Sequence, residues 1–417
     1  MKKSVWIRVV LITLLIAAII GCGPGKPEFD VGEMLSEPKT YVGSKQCRSC
    51  HLEHYDSWKT TLHSRTLQDV SENLDAIVAE IDPKVIRADL KKVENGLKIP
   101  IDEVYIPSPE DIKYTIGVQW KQMYIVERNK ELYVAPVQYN IWSHTWVPYY
   151  EDEWDKRPWG KYCGGCHALN VDLQKGTFSE GEVGCEACHG PGSHHAALPK
   201  TAIFGKRRTI VNPSQIPAGL RTQICGSCHA RGISTKEGDA HWPVGFVPGR
   251  ALGLYYKTNS YGDGKVKEIY ANEFAKGHRQ QYNDWKLSSH AREGVTCTSC
   301  HYVHQLGVPP TQFQTRGSGS QQCLSCHKVI NNNLAHSIHS FANCIGCHMP
   351  RIAKSAESGD IHSHVFTVLL PEDTMKNPAI PNSCQTCHKH RDTDLKTLHQ
   401  LYEGVAKKTL VKVHQTR

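Results

Sequence analysis

The chain is short of the residues that usually fill a protein interior. In 417 residues there are 8 phenylalanines and 5 methionines, and apolar residues of all kinds make up 39%. A large conventional core is hard to build from that supply. A membrane-spanning run is also missing: the apolar stretch Val9 to Ile20 is shorter than the about 20 residues a spanning helix needs. Charge of one sign is not concentrated anywhere. Lys and Arg number 49 against 41 Asp and Glu, spread along the chain, which argues against a nucleic-acid partner.

Cysteine and histidine are abundant instead, at 17 and 24. Cys-x-x-Cys-His occurs eight times: Cys47, Cys50, His51; Cys163, Cys166, His167; Cys185, Cys188, His189; Cys225, Cys228, His229; Cys297, Cys300, His301; Cys323, Cys326, His327; Cys344, Cys347, His348; and Cys384, Cys387, His388. Cys22 is the only cysteine outside these motifs. Disulfides would not require a histidine after every second cysteine. Zinc ribbons use the cysteine pairs but leave the next residue open. Covalent attachment of haem c uses all three positions, two thiols on the vinyl groups and the histidine under the iron. The expectation is eight haems.

The N-terminus carries Lys2, Lys3 and Arg8, then the apolar stretch, then Ile19-Ile20-Gly21-Cys22. This resembles a bacterial lipoprotein signal over residues 1–21, with Cys22 as the lipidated residue. Residues 22–40 read as a flexible tether, 41–395 as the haem domain and 396–417 as a tail. Gly23 is not an acidic retention signal, so the outer membrane is expected, on its periplasmic or cell-surface face. Without residues 1–21 the balance is 46 basic against 41 acidic residues, or +5. Eight ferric haems at about −1 each move this to about −3.

At about 50 residues per haem, the porphyrins must form much of the core. The fold class expected is mainly α with long loops. The gap between the first two motifs is the exception. YTIGVQWKQMYIV from Tyr114 and ELYVAPVQY from Glu131 alternate, and ERNK at 127–130 makes a turn between them. These predict a small β-hairpin insertion at about 110–150. Motifs two to four are spaced by 22 and 40 residues and motifs six to eight by 21 and 40, which raises a four-plus-four duplication. A second repeat is HLEHYDSWKTTLH at 51–63 and HRQQYNDWKLSSH at 278–290.

The 24 histidines less the eight in motifs leave 16 for the second axial positions. CEACHGPGSHH, WKLSSHAREGVTCTSCHYVH, CIGCHMP, DIHSHVF and NSCQTCH resemble the large bacterial multihaem cytochromes c. That group includes the tetrahaem cytochrome of hydroxylamine oxidation and related octahaem proteins. The resemblance covers most of residues 41–390. It implies His63, His195, His290, His304 and His364 as distal ligands, and His278 with His336 or His339 are added. The eighth ligand stays open among His144, His241, His390 and His399.

Two functions compete. Bis-histidine haems would make an electron conduit between other redox proteins, cytochromes or a porin, tethered to a membrane by lipid. A haem lacking its second ligand would make an oxidoreductase for a small nitrogen or sulfur species. The lysine that replaces a motif histidine in nitrite reductases resembling this group is absent, and so is the wide cysteine spacing of the sulfite-reducing relatives. A third reading is a structural partner of an outer-membrane porin.

Overall fold

The computed structural model of the chain describes residues 36–237, 239–328 and 334–406. The expected signal segment and Cys22 lie outside the described residues. The chain divides into a small unit, residues 1–42 and 191–210, and a large one, residues 43–190 and 211–417.

The large unit contains a five-stranded antiparallel sheet, β1 (Leu67–Asp69), β2 (Ile112–Ile116), β3 (Lys121–Arg128), β4 (Glu131–Asn140) and β5 (Thr145–Pro148), each strand paired with the next. Where the sequence indicates a hairpin, the chain builds a larger sheet, because Leu67, from before the expected insertion, pairs with Ile116. The reversal between β3 and β4 sets Arg128 opposite Glu131, and Asn129 and Lys130 take φ of 52° and 67°. Two consecutive positive-φ residues are what a tight hairpin turn needs, and Asn tolerates them.

Met123 to Val126 in β3 are all buried, so alternation is lost there. The reason is cover on both faces. The helix Pro83–Lys91 lies in one core, with Ile86 and Leu90 against Tyr124, Val126, Val137 and Trp146. Spacing of four residues puts Ile86 and Leu90 on one helical face. Asp82 caps the helix by accepting from the Lys84 N–H at 2.7 Å, with Pro83 in the first turn. The carboxylate of Asp89 accepts the Trp146 N–H at 2.9 Å and ties helix to strand. The other core joins Leu67, Ile116, Met123, Ile125 and Val134 to Trp159 and Ala168, which flank the second haem motif.

Elsewhere the large unit is short helices and loops with three two-stranded ladders. The expected C-terminal tail begins in a helix, Leu395–Ala406, with Leu398 buried. In the small unit, Thr40 and Ser193 exchange two hydrogen bonds, 2.9 and 3.1 Å, and the Lys39 ammonium donates to the Thr209 carbonyl at 2.7 Å. The end of the expected tether is therefore fixed to the short helices Ser193–Ala197 and Ile203–Thr209.

Candidate haem sites

Seven of the eight motifs lie in or at the end of a short helix, and the last, 384–388, is a turn. The His51, His229, His301 and His327 N–H groups donate to the carbonyls of Cys47, Cys225, Cys297 and Cys323 at 2.8–2.9 Å. That turn sets two thiols and an imidazole on one face. The sixteen motif cysteines are free thiols, and no group of three or more metal-ligating side chains occurs among the described residues. Small residues inside two motifs admit aromatic rings. A Cβ at Gly165 would come within 2.1 Å of the Trp242 ring, and one at Gly226 within 2.8 Å of Tyr282.

Imidazoles then face imidazoles. An imidazole nitrogen lies about 2 Å from a metal it ligates, with its ring centre about 1.1 Å behind, so two rings across one iron have centres about 6.2 Å apart. His63 and His229 are 6.2 Å apart, His304 and His189 6.4 Å, and His290 and His327 5.9 Å. His364 and His301 are 6.4 Å apart, as are His336 and His348. Each pair joins one motif histidine to one histidine from outside the motifs. Distance alone is not sufficient, since His51 and His54 are 6.1 Å apart merely as near neighbours in sequence. His339 lies 6.2 Å from His390, two residues past the last motif histidine.

Protonation agrees. Burial pushes His63, His167 and His304 down to about 4 and His364 down to about 3, so these rings are neutral at pH 7. Nδ1 of His167, His189 and His301 lies 2.8–3.1 Å from the carbonyls of Thr66, Val211 and Phe313. A carbonyl only accepts, so Nδ1 holds the proton and Nε2 keeps its lone pair, the tautomer that binds a metal. The same contact occurs in the small unit from His195 to the Lys206 carbonyl at 3.0 Å. His194 is buried with neither ring nitrogen hydrogen-bonded.

The thiols of different motifs also meet. Cys47 faces Cys185, Cys225 faces Cys297, Cys166 faces Cys228 and Cys323 faces Cys344. Cys188 neighbours Cys225, Cys300 neighbours Cys326, and Cys347 neighbours Cys384 and Cys387.

The His-x-x-x-Tyr-x-x-Trp-Lys-x-x-x-His repeat has a structural counterpart. The indole N–H of Trp58 donates to the Val183 carbonyl at 2.9 Å while the Val183 N–H donates to His63 O at 3.1 Å. Trp285 and His290 hold Val295 in the same way, at 2.8 and 2.9 Å. Val183 and Val295 each stand two residues before a motif cysteine. This geometry relates the third motif to the fifth, a different register from the one the 22/40 and 21/40 spacings indicate.

The surroundings of the second motif differ from the rest. Arg279 holds a left-handed φ of 55° and points one N–H to Cys166 Sγ at 3.6 Å and another to the His241 carbonyl at 3.2 Å. Lys121, at the start of β3, is pushed down to about 8 by burial and by Arg231. Arg231 pairs with Glu268 at 2.6 Å. All three cations act on His278, which also feels His167. Beside them Arg157 lies over the rings of Tyr150 and Tyr162, 3.7 and 4.0 Å from their centres, and lines a cavity with Tyr149 and Cys163. Sequence reading missed Lys121, Arg231 and Arg279. Only the last two carry a signal, standing directly behind His229-Ala230 and His278. His144 sits at φ 52° in the turn from β4 to β5, bonded to Tyr139.

Comparison with known proteins agrees with this arrangement. The cytochrome c552 family matches residues 145–343 and the cytochrome c554 and c-prime family residues 46–94. Cytochrome c-552 of Aliarcobacter butzleri is 23% identical over 37% of this chain and 35% of its own length. The dissimilatory sulfite reductase MccA of Wolinella succinogenes is 20% identical over 76% of this chain and 51% of its own. The chain thus spans a third to a half of these curated relatives. The crystal structure of outer cell wall cytochrome OcwA superposes with a TM-score of 0.67 at 21% identity, covering 87% of this chain and 86% of that one. The attachment motifs, the facing imidazoles and the shared fold place the chain among the multihaem c-type cytochromes.

Proposed function

We propose that the chain is an exported octahaem cytochrome that conducts electrons along mostly bis-histidine haems at a membrane surface. The observation that carries this reading is the set of motif imidazoles faced by second imidazoles at iron-spanning distance. Haem supplies one-electron exchange at iron, and an iron ligated on both sides binds no substrate. The protein's part is to ligate, to hold the rings close and to keep His63, His304 and His364 neutral. The abutting thiols order the haems as one, three, four, five, six, seven and eight, with the second attached at the fourth. His63, His290, His304, His336 and His364 are the distal ligands this reading needs at five irons. His195 is preferred to His194, because its Nδ1 faces a carbonyl and its lone pair lies on Nε2. His339 is assigned to the last motif from its place beside His390. The kinship to the tetrahaem cytochrome of hydroxylamine oxidation rests on the motif resemblance.

The lipid anchor at Cys22, the outer membrane and a cytochrome or porin partner complete the proposal. Intact-mass measurement should give eight haems and acyl chains on Cys22. Fewer haems would refute the octahaem count, and an unlipidated start beyond Cys22 would refute the anchor.

A second reading keeps one haem open, at Cys163 and Cys166, for a small nitrogen or sulfur oxyanion. The observation favouring it is the half-buried cluster of Lys121, Arg231 and Arg279, which outnumbers the two carboxylates that act on it, Glu268 and Asp360. An excess of half-buried cations favours an anion. Titration of the reduced protein with carbon monoxide separates the readings: none bound for a pure conduit, one per chain for an open haem.

A further inference from the structure

The residue before the tryptophan has matching contacts in the two copies of the repeat at 51–63 and 278–290. Ser57 Oγ accepts the N–H of Gln305, the residue after His304, at 2.6 Å. Asp284 Oδ2 accepts the N–H of His364 itself at 2.9 Å. His304 faces His189, and His364 faces His301. Those two motif histidines belong to the third and fifth motifs, the same two that Trp58 and Trp285 hold through Val183 and Val295. Adjacent residues of each copy therefore grip the two loops that carry both imidazoles of one facing pair.

The closing histidine carries the match further. His63 faces His229 of the fourth motif, and His290 faces His327 of the sixth. Ring planes sort the same way. The pairs at the third and fifth motifs are close to parallel, at 21° and 23°. The pairs at the fourth and sixth are perpendicular, both at 89°. Thiols of the successive motifs are neighbours in both places, Cys188 with Cys225 and Cys300 with Cys326. The two grips differ in chemistry. Ser57 is half-buried and gives one oxygen. Asp284 is 1% exposed, and its other oxygen accepts the Ala275 N–H at 2.8 Å, so one buried carboxylate ties two strands of chain together.

We propose that the stretches 57–63 and 284–290 are two copies of one ligand-positioning module, each orienting both axial histidines of one haem and supplying the distal histidine of the next. Haems three and four then form one relay pair, and haems five and six a second of the same design. Ser57 and Asp284 are positioning residues, acting on iron only through the loops that bear His304 and His364. The proposal rests on the bis-histidine reading and adds what sets the ring planes. Plane orientation matters to the metal. In low-spin ferric haem the imidazoles overlap the two iron dπ orbitals. Parallel rings act on the same orbital and split the two apart, which gives a rhombic electron paramagnetic resonance signal. Perpendicular rings leave the two nearly equal, which gives a highly anisotropic signal.

The test reads the resonance spectrum of the oxidised, haem-loaded protein. In the wild type the pairs at the third, fifth and seventh motifs should give rhombic signals, the last because His336 and His348 lie at 26°. The pairs at the fourth and sixth should give anisotropic ones. Ser57→Ala should keep all haems attached and shift one rhombic signal, leaving the anisotropic class intact. Ser57→Thr keeps the hydroxyl oxygen and should return the wild-type spectrum. Trp58→Phe removes the indole N–H and keeps an aromatic ring. It should alter one signal of each class, because Val183 is bonded both to Trp58 and to His63. Asp284→Ala should shift a different rhombic signal, additively with Ser57→Ala. Asp284→Asn has the same shape but sets an NH2 group against one of the two N–H groups, and should do so more mildly with less risk to folding. If Ser57→Ala leaves every signal in place, or moves an anisotropic one instead, the module is overturned. A wild-type spectrum without the two low-spin classes would instead overturn the bis-histidine pairing on which the module rests.

Discussion

Replacing His290 by alanine tests ligation at a site with local structure strong enough to survive. The ring faces His327 at 5.9 Å and packs edge-on to Phe366 at 4.4 Å. Its backbone carbonyl accepts the Val295 N–H, and Val295 is also held by Trp285, so the turn leading to Cys297 does not depend on the imidazole. The loss of one aromatic contact costs about 1 kcal/mol, and alanine in the helix Ser289–Arg292 returns a few tenths. The net cost is far below the stability of a domain. Haem at Cys323 and Cys326 stays bound through its thioethers. One of eight irons should pass from low to high spin, and carbon monoxide uptake should rise by one per chain. The potential of that haem should rise with it. Unchanged uptake in His290→Ala would show that the 5.9 Å pairing with His327 does not span an iron, and the pairing argument would then fail for the other four pairs too.

Leu90→Ala should destabilise the sheet region by about 2–5 kcal/mol, because Leu90 is fully buried, with haem content unchanged; thermal unfolding followed in the far ultraviolet measures it. Gly165→Ala should cost about 1–3 kcal/mol and perturb the second haem alone, since its Cβ would meet the Trp242 ring at 2.1 Å; resonance Raman of the haem vinyl and thioether modes reads this. Prolonged EDTA should leave iron content and fold untouched, because the iron sits in covalently attached porphyrin; release of metal with unfolding would return the zinc reading.

The attachment motifs were legible because covalent haem binding fixes residue type at three positions within five. The facing histidines were only partly legible. His63 and His290 stand in a visible repeat, but their partners His229 and His327 come from motifs 166 and 37 residues on, and no local pattern encodes that pairing. The sheet was read as a hairpin because β1 is three residues long and joins through long-range pairing with β2. His278 was read as a ligand by analogy of position with His51 in the repeat. Its contact with Arg231, 47 residues earlier, is one that only folding creates.

The placement of the sheet bears on why one haem site should differ from the rest. Two of the three apolar clusters among the described residues lie on this sheet's two faces, and the third is small. Most haems are backed by loops and short turns. That is adequate for a conduit, where an electron crosses between rings in contact and tolerates small displacements. Recognition of a small anion does not tolerate them, because donors must be held to within about 0.5 Å. Lys121 begins β3, Tyr149 follows β5, and Cys163 packs on the sheet's second core beside Trp159. The half-buried cations therefore gather where the chain has its most rigid support.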